Sequence, residues 1–133
     1  MIDLASNHDA VVDVPALLRS GNAATNGAGA NLAGFNGATV LFHSGTLTDG
    51  SIACKLQEDS DSAFGTAADV AGADIVGGVN LVTLAATDDN VVKKLGYIGK
   101  KQYIRAVMTQ SGATSGGTYG SIVHRGHPVK APK

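Results

Sequence analysis

Gly96-Tyr97-Ile98-Gly99-Lys100-Lys101-Gln102-Tyr103-Ile104-Arg105-Ala106-Val107-Met108-Thr109 contains two β-prone runs with a glycine and two lysines between them. In the second run Tyr103, Arg105 and Val107 share one face, and Ile104, Ala106 and Met108 share the other. That period of two is the pattern of a half-buried strand. Gly99-Lys100-Lys101 predicts a turn into it. Residues 91–97 form the other run, a strand with Lys93 and Lys94 facing out and Gly96 marking a bulge.

Moving outward, residues 51–58 alternate in the same way, with Ile52, Cys54 and Leu56 on one face. Residues 38–44 place Val40 and Phe42 opposite Leu41 and His43. Asn36-Gly37 ahead of that run predicts a tight hairpin from a short strand at 31–35. Asp49-Gly50 closes the next loop, and residues 79–86 read as another strand. Residues 66–70 predict a short helix capped by Thr66, limited by the glycines at 72, 77 and 78. The last strand spans 118–125. Residues 10–18 contain Pro15, which lacks an amide donor, so an edge strand is expected there.

These short runs with turn signals between them predict an all-β fold. The expected architecture is a β-sandwich or jelly-roll-like barrel of about eight short antiparallel strands with extended terminal arms. The expected division is an N-terminal arm or edge strand at 1–20, a β-domain at 21–125 and an extended basic tail at 126–133. The chain of 133 residues favours one domain. It has 18 glycines, no tryptophan and only three phenylalanines, which predicts a thin core of Val, Ile and Leu. Its single cysteine, Cys54, excludes an internal disulfide and reads as a small core residue. No run approaches the roughly 18–20 apolar residues of a membrane span. The N-terminal residues carry neither a basic region nor an apolar one, so no signal peptide is expected.

The net charge of −1 conceals a segregation. All 11 acidic residues lie in residues 1–92, where Arg19 and Lys55 are the only bases, whereas residues 93–133 hold eight bases and no acid. Either strands from the two segments interleave and the charges mix, or the basic segment meets an acidic partner. Direct nucleic-acid binding is not expected, since no recognition motif is present.

Catalytic patterns fail on spacing. Gly96-x-x-Gly99-Lys100-Lys101 is too short for a phosphate loop and has no Ser or Thr after the lysine. His43 and Ser44 are strand neighbours pointing to opposite faces. His124 and His127 lack a third ligand in view. Glu58, Asp59 and Asp61 lack the glycine and distal glutamate of an EF-hand. No enzyme activity, cofactor or metal is expected.

Several segments carry a resemblance. They are Thr25-Asn26-Gly27, Leu32-x-Gly34-Phe35-x-Gly37-Ala38, Gly45-Thr46-x-Thr48-Asp49-Gly50 and Lys55-Leu56-Gln57-Glu58-x-x-Asp61. They continue with Tyr97-Ile98-Gly99-x-Lys101-x-Tyr103-Ile104-Arg105-Ala106-Val107, Ser111-Gly112-Ala113-Thr114 and Val123-x-Arg125-Gly126-His127-Pro128. Together they resemble a family of small virion proteins of tailed bacteriophages, typically encoded beside the major capsid protein. The resemblance implies a capsid cement or decoration protein, made in the bacterial host cytoplasm and carried on the virion. The implied partners are the major capsid protein and further copies of the chain, commonly as a trimer. Candidate contact residues are Arg105, Arg125, His127, Pro128, Lys130 and Lys133, facing acidic patches on a neighbour. A head fibre, spike or carbohydrate-binding module, and a tail or connector component, are the other readings.

Overall fold

Where the sequence alternates, it folds as strand. The computed structural model describes residues 3 and 5–128, and among them ten strands form two antiparallel sheets. One sheet has the order β1 (His8–Arg19), β10 (Gly117–Pro128), β4 (Phe35–Leu47), β8 (Val92–Tyr97). The other has the order β2 (Ala24–Asn26), β9 (Tyr103–Ser111), β5 (Ser51–Asp59), β6 (Ala68–Asp69). β3 (Ala30–Asn31) also pairs with β9, and β7 (Val82–Ala85) with β5. The inner faces supply one core: Val40, Phe42, Leu95 and Val123 from the first sheet, and Ile52, Cys54, Leu56, Ile104 and Met108 from the second. This is the expected sandwich. Burial pushes the Cys54 thiol up to about 12, so it stays protonated as an apolar core group.

The turns differ from expectation. β8 and β9 lie in different sheets, so the chain at Gly99-Lys100-Lys101 is an arch across the core. Asn36 and Gly37 lie inside β4. The turn comes earlier: the Phe35 amide bonds the Leu32 carbonyl at 3.0 Å, and Gly34 adopts φ +87°. Residues 66–70 form a turn and then β6 rather than a helix, and Asp59 accepts bonds from both the Thr66 amide and its hydroxyl at 2.8 Å. Thr66 is capped rather than capping. Gly96 sits in continuous register with Thr39, without a bulge, and its missing side chain makes room for Val76. Lys93 and Lys94 do not share a face; Lys93 bonds Asp88 and the Thr83 carbonyl while Lys94 is exposed.

At the termini, β1 is an edge strand whose register shifts on both sides of Val14. Within its bulged half, the Arg19 guanidinium bonds the carbonyls of Pro15 (2.6 Å) and Leu17 (3.3 Å). These are devices that discourage further pairing. The expected boundary at 125/126 falls inside β10, which runs to Pro128 opposite Phe35. Among the described residues β1 pairing stops at Gly126, so β10 ends with β4 as its one neighbour, an edge setting that tolerates proline.

A buried carboxylate ties the sheets together. Asp13 of β1 is 1% exposed. It accepts the amides of Ala106 in β9 (2.6 Å) and Gly29 (2.7 Å), while the Ser121 hydroxyl of β10 lies 3.4 Å away. The same hydroxyl accepts the Val14 amide at 3.0 Å. Burial raises the Asp13 pKa against the opposing pull of these donors.

Asp13→Ala orphans two buried amides and is expected to lower unfolding free energy by about 2–4 kcal/mol. The raised pKa means the folded chain holds this proton more tightly than the unfolded one. That contribution is complete below about pH 4 and is lost as pH rises through the folded value. Urea unfolding should therefore show wild type losing stability relative to Asp13→Asn as pH climbs from about 4. A constant difference across that range would contradict the assignment.

Candidate functional site

Two arches and a strand end meet at one end of the sandwich. β4 and β9 start there, and β8 and β10 finish there, as their antiparallel registers require. Residues 32–38 and 97–102 wall a cleft of about 520 Å³. Lys100 and Lys101 stand exposed on its rim, and among the described residues neither forms an ion pair.

The lysine arch is fixed from below. Tyr97, 3% exposed, donates its hydroxyl to the Glu58 carboxylate at 2.8 Å and accepts the Lys101 amide at 3.0 Å. Burial, then the bond to Glu58, raises the phenol's pKa above its usual range. A β-carbon on Gly99 would meet the Tyr97 hydroxyl at 2.5 Å, so the close approach needs glycine there. On the other wall, Gln102 bonds the Asn31 side chain at 3.2 Å, and the Leu32 amide bonds the Gln102 carbonyl at 2.7 Å.

Arg125 belongs to the inward-facing series of β10 and plugs this end of the core. Its guanidinium lies 4.7 Å from the centre of the Phe35 ring, a cation–π stack, and donates to the Asn31 carbonyl at 2.7 Å. It also pairs with Asp9, which that bond holds below the usual carboxylate range. Arg125 thus has one acidic partner, Asp9, within the chain. Arg105 is elsewhere, on β9, where it donates twice to the Gln57 side chain (2.8 and 3.0 Å) and stacks 4.6 Å over Phe64. The two arginines are not brought together. His127 and Pro128 continue β10 in the backbone, next to Phe35 and the cleft. Lys130 and Lys133 lie outside the described residues.

Sequence reading treated Gly99-Lys100-Lys101 only as a turn, and so missed both lysines and Tyr97 as parts of a site. Their signal was the absence of any acid from residue 93 onward. The acidic turn at 59–61 is occupied internally: Asp59 holds Thr66, and Asp61 accepts the Ala63 amide at 3.0 Å. Among the described residues, no three His, Cys, Asp or Glu side chains are grouped to hold a metal.

No protein-family model matches the chain, and no curated protein sequence matches it. Among solved structures it is similar to the SPBc2 prophage-derived protein YomS, with a TM-score of 0.47 and 11% identity over 90% of this chain and 92% of that one. It is also similar to PirA, with a TM-score of 0.41 and 10% identity over 91% of this chain and 94% of that one.

Tyr97→Phe removes both bonds that anchor the arch. The expected outcome is a loss of about 1–2 kcal/mol in unfolding free energy, with faster amide exchange confined to residues 99–102. Unchanged exchange at Lys101 would show that the tyrosine does not hold the loop.

Proposed function

We propose that this chain is a structural protein of a tailed-phage virion, a cement or decoration protein that binds the capsid lattice as a trimer through its cleft end. The observation that carries the reading is the convergence at that end: the cleft, the end of β10, and Lys100 and Lys101, which have no ion-pair partner among the described residues. The segments that resemble small phage virion proteins give the reading its biological setting.

Co-sedimentation of the purified chain with expanded capsids that lack it tests the reading. The expected result is saturation at the number of threefold or quasi-threefold positions. Removing residues 129–133, which leaves β10 whole, should weaken binding without changing the melting temperature. Absence of binding to capsid shells overturns the reading and turns attention to glycans or to tail components.

A further inference from the structure

We infer that the cleft between residues 32–38 and 97–102 is the seat of an acidic, extended polypeptide segment of a partner. The inference rests on the virion reading only in naming the capsid shell as the source of that segment.

Four observations carry it. The cleft, at about 520 Å³, falls within the roughly 300–1,000 Å³ usual for ligand sites. Its rim bears two ammonium groups without an ion-pair partner among the described residues, while Asp9 pairs with Arg125 and Glu58 accepts the Tyr97 hydroxyl. The backbone beneath the lysines is held by Tyr97, so an incoming carboxylate meets a site whose main chain is already ordered, which lowers the cost of binding.

The fourth observation separates a peptide from a nucleic acid. Single strands bind where aromatic faces are open for base stacking. Here the Phe35 ring carries the Arg125 guanidinium, and Tyr97 is buried. The cleft therefore offers charge without a stacking platform. Lysines also act as point charges that accept carboxylates from many directions, which suits an extended chain of acidic side chains.

The test is NMR titration of the ¹⁵N-labelled full chain with a hexaglutamate peptide, with a hexathymidylate strand as the competing anion. Amides of residues 32–38 and 99–102 should shift with hexaglutamate, with a midpoint that rises between about 50 and about 300 mM salt. Lys100→Glu/Lys101→Glu should weaken binding roughly tenfold or more, while Lys94→Glu, on a different strand, should bind as wild type does. Equal melting temperatures confirm that the variants are folded. The inference is overturned if the cleft amides stay still, if Lys94→Glu loses as much as the double variant, or if hexathymidylate binds the same amides at the same midpoint. Capsid titration separates the two readings. Hexaglutamate in the cleft without capsid binding overturns the virion reading alone. Wild-type capsid affinity in the double variant removes the cleft from the capsid contact and leaves the virion reading in place.

Discussion

The approach of the two sheets is set by a carboxyl group placed where an apolar side chain would ordinarily go. Asp13 leaves the edge strand β1, crosses to β9 and takes the amides of Ala106 and Gly29. Its own carbonyl accepts the Ala28 amide at 3.1 Å. Gly27 is required in this neighbourhood because a β-carbon would overlap the Asp13 carboxyl. One residue thus fixes the edge strand, the approach to β3 and the centre of the second sheet. A core built on Val, Ile and Ala gains less from burial than one rich in aromatics. Satisfied buried polar contacts supply the specificity that such a core lacks, and any loss among them leaves unpaired groups.

The same logic explains the charge segregation. Most connections here are arches between sheets, and an arch leaves amides without ladder partners. Short carboxylates are the side chains suited to collect them. Asp49 gathers three amides, Asp59 takes those of Asp61 and Thr66, and Asp88 takes that of Ala85. Donation from the Gly116 and Ser115 amides holds Asp49 below the usual carboxylate range, so its support for the fold fades as pH falls through that lowered value. The acids of the first two-thirds of the chain therefore serve the fold, in contrast to the lysines near residue 100.

Alternation made β5, β8, β9 and β10 legible, because the buried series Ile52, Cys54, Leu56 and Ile104, Ala106, Met108 is written with period two. Pro15 marked β1 as an edge for a local reason as well. Turn residues misled because Asn-Gly and Gly-Lys-Lys report positions where a chain can bend, not which strand it pairs with afterwards. Whether a bend closes a hairpin or crosses a core is decided by the partners of both strands, and these are distant in sequence: β10 pairs with β1 and β4. The cleft was illegible for the same reason. Phe35, Tyr97 and Lys100 meet only after β4 and β8 have taken adjacent places. The internal partners of the arginines were illegible because the sequence displays their charge and not their neighbours, Asp9, Gln57, Phe35 and Phe64.

Side-chain bonds at the bends hold both ends of the sandwich. The strands run between an end where Asp49 and Asp89 hold backbone amides and an end where Tyr97 and Asp59 do the same. Because the arches are pinned by side-chain bonds, little backbone freedom remains at the bends. The thin core does not weaken this design, because its stability is spread over clips placed at those bends.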